Sequence, residues 1–314
     1  MSAPQTSALL DYFRSTPQFP VALMQSSWSL QQLATLSLML CSVALATPNR
    51  DSVFIQSQCN LIDKLGWRDK PFSILYALVA QTFVGKPYRA GTLDSSLTEE
   101  CHFTSDGFDC VTFVESALAL SRSAKRKSCD YSSFLAELEF IRYRQGKCNG
   151  YSWRLHYTSD WIADNQAKRV LDDITPQLGG KRIRKTINFM STHPEFYRQL
   201  RDSSALVGQI AAIERRLSRR PLAIIPRSQW SNAFTGIQSG DIIAIATTKE
   251  GLDYAHLGIA LRTGGKLGFI HASSKSENVV FEPNLEEYLR AFSSASGITV
   301  LRPLDPTTAA PKSR

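Results

Sequence analysis

Residues 256–273 read HLGIALRTGGKLGFIHAS, and this stretch decides the fold class. Two β-type runs, His256 to Leu261 and Leu267 to Ala272, flank Thr263-Gly264-Gly265-Lys266. A Gly-Gly pair supplies the positive φ angles that a tight hairpin turn demands, so the two runs are expected to pair antiparallel. Outward from this hairpin lie more short β-type runs: Leu222 to Ile225, Asp241 to Ala246, Val279 to Phe281 and Ile298 to Leu301. Turn signals at Ser239-Gly240-Asp241 and Ser276-Glu277-Asn278 separate them, and a helix over about 285–294 interrupts the series.

Upstream of residue 220 the period changes from two to 3.6. Helices are expected at about 51–65, at 72–84 behind Pro71, and at 131–144. Asp109 precedes an apolar face of Val111, Val114, Ala117 and Leu118, and Ser159 or Asp160 is expected to cap a helix through about 170. Thr192, Pro194 and Glu195 mark a further helix start. Ser203 to Arg219 sets Leu206, Ile210, Ile213 and Leu217 on one side. Helices first and strands second predict an α+β domain over 51–305 with a C-terminal antiparallel sheet, followed by a disordered tail at 306–314.

Average hydrophobic and charged content, 43% and 20%, excludes a disordered chain. The net charge of +8 favours anionic partners, but the basic runs are short and lack interleaved aromatics, which argues against nucleic acid. Leu33 to Ala46 is uncharged, too short to span a membrane and suited to a signal-peptide core, with Ala44-Leu45-Ala46 as a small-x-small cleavage pattern. Residues 1–46 are therefore read as a leader. The mature chain is expected to be exported or periplasmic with no stable membrane insertion, and cytoplasmic if the leader stays.

Six cysteines without a C-x-x-C make neither a zinc ribbon nor a thioredoxin-type site. For disulfides, Cys129 with Cys148 would need the helix between them shortened, and Cys59 with Cys101 has no better support. At most one bridge is expected.

The chemistry concentrates at Phe108-Asp109-Cys110-Val111-Thr112-Phe113-Val114-Glu115. Asp109 as N-cap puts Cys110 at the first helical position, where the dipole favours thiolate and backbone N–H groups can hold an oxyanion. A cysteine nucleophile needs a base and an orienting group. Of the five histidines, His256 and His271 sit on the paired strands of the hairpin, which is the spatial recipe for a Cys-His-polar triad. Gly258 permits close approach by a backbone or ligand. Glu115 is a candidate buried partner for Arg142 or Arg144. No pair among Cys110, His256 and His271 has a zinc-motif spacing, so neither metal nor cofactor is expected.

Several segments together resemble the NlpC-type papain-like cysteine peptidases, and more closely their N-acetylmuramoyl-L-alanine amidase-like branch. They are Gly85 to Leu93, the FDCVTFVE segment, Arg142 to Arg144 with Gly146, and the block Arg154-Leu155-His156-Tyr157, Ser159-Asp160-Trp161-Ile162, Asp164-Asn165. Asn188 to Ser191 with His193-Pro194, Gly240 to Ile243, His256 to Ala260 and His271 to Ser274 complete the series, from about Thr82 to Pro303. The RLHY-x-SDWI-x-DN block is what singles out the narrower branch.

The resemblance implies a papain-like fold with Cys110 as nucleophile, His256 as base, His271 as its orienting group and Tyr88 beside the nucleophile. It implies cleavage of the amide between N-acetylmuramic acid and L-alanine in muropeptides, during cell-wall turnover or recycling. Trp161, Asp164 and Asn165 are candidates for a sugar or peptide subsite, and Ser273 and Ser274 for shaping the site. The rival readings are a D-glutamyl stem-peptide endopeptidase and a catalytically idle muropeptide-binding module.

Overall fold

A computed structural model describes residues 49–94 and 96–308. The leader at 1–46 and the tail beyond Thr308 fall outside these. The longer helices are α1 (Arg50–Lys64), α2 (Phe72–Gln81), α3 (Cys110–Lys125), α4 (Tyr131–Arg142), α5 (Thr158–Ala167), α6 (Ser204–Arg219) and α7 (Leu285–Ala291). The strands are β1 (Leu171–Asp173), β2 (Lys181–Ile183), β3 (Leu222–Pro226), β4 (Ile242–Thr247), β5 (Tyr254–Thr263), β6 (Lys266–Ser273), β7 (Asn278–Glu282) and β8 (Ala295–Pro303). They form one antiparallel sheet in the order β2-β3-β8-β4-β5-β6-β7, with β1 also paired to β8. The fold is α+β, helices N-terminal and sheet C-terminal, as the change of period predicts.

The hairpin forms where the Gly-Gly pair requires it. Gly264 and Gly265 take φ of 55° and 78°, and the ladder runs from Thr263↔Lys266 to Ile259↔Ile270. It stops there. A Cβ on Gly258 would stand 2.4 Å from the Phe269 ring and 2.6 Å from Ile270 O, so only glycine lets β6 cross so closely.

Strand β4 lies between β8 and β5 and is buried along its whole length. Ile242, Ala244 and Ala246 join the core beneath α1 to α4, while Ile243 and Ile245 join Trp230, Leu285 and Leu289 on the other face. Burial on both faces explains why this segment reads as an unbroken apolar run. Helix α3 packs against α2, α4, β5 and β6 and is buried from Thr112 to Ala124. Two of its buried charges are paired, Arg122 with Glu137 and Glu115 with Arg142, each at 2.7 Å. Arg142 thus takes Glu115, and Arg144 goes to Asp160 at 2.6 Å.

Four expectations need correction. Neither Ser159 nor Asp160 caps α5. The cap residue is Tyr157, whose side chain makes no capping bond; Asp253 Oδ2, from the segment before β5, accepts the Ser159 N–H at 2.7 Å. A single helix does not start near 192–195, because Pro194 breaks the segment into single turns at Phe189–Thr192, Pro194–Phe196 and Arg198–Arg201. The disulfide joins Cys59 on α1 to Cys129 before α4, with Cα atoms 5.6 Å apart, a pairing that no spacing along the chain suggests. Residues 306–308 belong to an ordered turn in which Asp305 Oδ1 accepts the Thr307 N–H at 2.9 Å. Among the described residues no helix is long and apolar enough to cross a membrane.

Candidate active site

Local sequence builds the head of α3. Asp109 Oδ1 accepts the N–H groups of Val111 and Thr112 at 3.1 and 2.8 Å, and Thr112 Oγ1 returns the bond to Asp109 N–H at 2.9 Å. This reciprocal cap fixes Cys110 as the first helical residue.

Longer-range structure supplies the other half. Because Ala260 N–H points to Asp241 O, on the β4 side, the alternation of a strand turns Leu257 N–H towards β6. The ladder has already ended at Ile259↔Ile270, and the Leu257 N–H, with the N–H groups of Cys110 and Val111, favours negative charge on Cys110 Sγ. The sulfur therefore meets the sheet where β5 and β6 part. Across the same parting His256 Nε2 and His271 Nδ1 are hydrogen-bonded at 2.8 Å, the rings nearly perpendicular at 86°.

The surroundings set the charge states. The sequence expectation of a thiolate is reversed: burial pushes the half-buried Cys110 thiol up to about 12, the Asp109 charge adds to this, and the three N–H groups only partly oppose it. Burial likewise lowers His256 to about 3 and His271 to about 4. His271 is 1% exposed, with Phe269 and Tyr288 ring centroids at 5.0 and 4.7 Å. Thiol and imidazoles thus rest neutral near pH 7.

Cys110 and His256 line one cavity of about 210 Å³ with Val111 and Leu257. Asp94, Tyr151, Arg154, His156 and Tyr197 also line it. Arg154 is buried, donates to Asp94 Oδ1 and to Leu93 O, and lies 5.0 Å from the Tyr151 ring centroid. His156 Nε2 is bonded to Tyr151 O at 2.8 Å, and burial lowers its pKa to about 3.

The remaining sequence candidates divide. Tyr88 is bridged to Phe108 and bonded through its N–H to Glu277 O at 2.8 Å; its phenol pKa is raised by burial first and then by Cys110 and Asp109, whose fields it feels. Trp161 lines a side pocket of about 20 Å³ that shares Val111, His156, Thr158 and Leu257 with the main cavity. Asp164 and Asn165 do not line either one. Asp164 pairs with Lys168 at 2.7 Å and accepts the Gln145 N–H, while fully buried Asn165 donates to Ile141 O and Trp161 O at 3.0 Å. Ser273 Oγ accepts the Ser276 N–H at 3.1 Å, and exposed Ser274 opens the same β6–β7 turn, which holds the Tyr88 segment through Glu277 O.

Sequence reasoning gave no role to Asp94, Arg154, His156 or Tyr288. Arg154 and His156 stand in the RLHY block, just ahead of α5, and that placement was the available signal. Among the described residues no group of three or more His, Cys, Asp or Glu side chains could hold a metal ion.

Residues 78–298 match the AmiA-like, N-acetylmuramoyl-L-alanine amidase-like family. The chain belongs to that family. A solved N-acetylmuramoyl-L-alanine amidase from Bacteroides uniformis is 35% identical over 74% of this chain and 99% of its own, with a TM-score of 0.69. A Bacteroides fragilis structure provisionally named a xylanase is 38% identical over 72% of this chain and 99% of its own, TM-score 0.67. A Legionella pneumophila protein at 23% identity, covering 81% of this chain and 95% of its own at TM-score 0.64, shares the fold. None of the curated proteins matches the chain. An amidase-like hydrolase of peptidoglycan is the coarse activity that the family carries.

Proposed function

We propose that the chain is a cysteine amidase of papain-like, NlpC-type architecture that cuts the bond between N-acetylmuramic acid and L-alanine in muropeptides. The observation that carries this reading is the His256 Nε2–His271 Nδ1 bond. It occupies one ring nitrogen and leaves His256 Nδ1 as the base in a cavity shared with Cys110. Since thiol and imidazole both rest neutral, the proton passes to Nδ1 as sulfur attacks the lactyl carbonyl. Backbone N–H groups at the head of α3 and the Tyr88 hydroxyl stabilise the oxyanion. Imidazolium His256 then protonates the departing L-alanine amine, and a water deprotonated by His256 releases the muramic carboxylate. The cavity tyrosines Tyr151 and Tyr197 offer faces for a sugar ring, and the Arg154–Asp94 pair offers charge to a short anionic peptide.

The Cys59–Cys129 bridge supports export to an oxidising compartment, in keeping with the leader at 1–46. Cell-wall turnover or recycling is the setting such a substrate implies.

The test is mass spectrometry of purified muropeptides incubated with the wild type and with Cys110→Ala. Muramic sugar plus an intact free stem peptide is the expected outcome, absent with Cys110→Ala. Cleavage after D-glutamate would make it an endopeptidase, and binding without turnover an idle module. Release of xylose oligomers from xylan would overturn the reading.

A further inference from the structure

The His256–His271 pair works in only one of its two tautomeric arrangements. If His256 Nε2–H donates to His271 Nδ1, then His256 Nδ1 carries a lone pair and can take the Cys110 proton. In the reverse arrangement Nδ1 carries the hydrogen and no base faces the thiol. The hydrogen bond at 2.8 Å is compatible with both.

What differs is the far nitrogen. In the productive arrangement His271 Nε2 bears a hydrogen; in the other it is a bare lone pair. This atom is buried and has no hydrogen-bond partner among the described residues. Glu282 Oε1 stands 3.8 Å from it. The placement follows from register: His271 opposes Val280 and Phe269 opposes Glu282, so Glu282 shares the sheet face of His271, one diagonal step away. A carboxylate there attracts an N–H and repels a lone pair. Since burial keeps His271 neutral near pH 7, the choice concerns the tautomer, not the charge.

Resting on the proposed thiol mechanism, we infer that Glu282 is a positioning residue that selects, through His271, the His256 tautomer able to accept the Cys110 proton. At 3.8 Å the contact is longer than a hydrogen bond, and the partly exposed Glu282 side chain has room to rotate inward. The other titratable groups near the pair are Tyr288 on α7 and Cys110 at the head of α3, which shares a cavity with His256.

Two variants separate the acceptor from its charge. Glu282→Ala removes both and should lower kcat about tenfold or more at unchanged KM, since no carboxylate then stands near the buried N–H to favour that tautomer. Glu282→Gln keeps an amide oxygen and should retain most of kcat. In both, loss of the negative charge disfavours the protonated histidine pair, so the acid limb of the kcat/KM profile should move to lower pH. Wild-type kcat and an unmoved acid limb in both variants would overturn the inference, as would a fall in Tm with no change in the profile. Cys110→Ala is assayed alongside: if it keeps turnover, the thiol mechanism itself fails, whereas if it is dead and the Glu282 variants behave as wild type, only the role of Glu282 falls.

Discussion

The two sides of the reacting pair are built from opposite materials. Behind Cys110 stand buried charges held by partners, Glu115 with Arg142 and Arg122 with Glu137. Around His256 and His271 stand rings: Phe269, Tyr288 and Phe292 within 4.7 to 6.3 Å of one or both imidazoles. Charges with partners can be buried in place, whereas imidazoles among hydrocarbon give up their proton instead. The helix side is therefore charged and paired, whereas the sheet side rests neutral. That difference teaches where each kind of substitution should bite.

The largest effect is expected where the two sides meet. Cys110→Ala should lower kcat by at least about a thousandfold with Tm little changed, and His256→Ala should approach that loss. The double variant should cost little more than either single one, since the two act as a unit, and steady-state assays of the three enzymes check this. Equal, additive losses at Cys110, His256 and His271 would speak for metal ligation instead. His271→Asn, which keeps a polar partner for His256, should be the mildest of the site variants.

Breaking the charged side should destabilise the fold first. Glu115→Ala leaves Arg142 buried without its carboxylate, at a cost of about 3–5 kcal/mol in denaturant unfolding. Replacing both residues by leucine should recover much of that loss, because the desolvation of two ions disappears with them. Next in size is the Cys59–Cys129 bridge, which ties α1 to the start of α4 across a sequence separation of 70. Cys59→Ala should cost about 2–4 kcal/mol. Intact-mass measurement after alkylation, with and without reductant, should show one bridge and leave Cys101, Cys110 and Cys148 free.

Legibility in the sequence follows the range of the interaction. The cap of Asp109 on α3 and the Gly264-Gly265 turn are complete within a few residues, so local chemistry announces them. The apolar run of β4 and the face of α6 are legible because burial writes a period into the chain. Strands β1 and β2 are three residues each, too short to show any period, and exposed β2 begins with Lys181 and Arg182 in the manner of a guarded edge. The α5 donor that Asp253 accepts, and the Cys59–Cys129 bridge, depend on partners 94 and 70 residues away. Asp164 and Asn165 are subsite candidates by side-chain chemistry, and residue type does not reveal that α5 turns Asn165 inward onto Ile141 O. Glu282 goes unassigned because its place on the face of His271 follows from the Ser273↔Asn278 register, which the turn signal at Ser276-Glu277-Asn278 does not specify.

The smallest expected effect tests the neutral side through pH. His156, His256 and His271 are lowered by burial to about 3, about 3 and about 4, from an unfolded value of 6.5. A folded pKa below the unfolded one means that the unfolded chain binds protons first, so stability is full above about pH 6.5 and falls as the pH drops towards 4. At pH 5.5 each such histidine should cost about 1.4 kcal/mol, and the slope of stability against pH counts how many remain buried and neutral. Denaturant unfolding between pH 7.5 and pH 5 measures it. His156→Gln should remove one proton from that slope while leaving the His256–His271 contribution, because His156 is bonded to Tyr151 O rather than to either imidazole. A slope unchanged by His156→Gln would mean that this ring is already charged or solvated in the folded protein. The cavity that Cys110 lines would then carry a titrating histidine rather than a fixed neutral one.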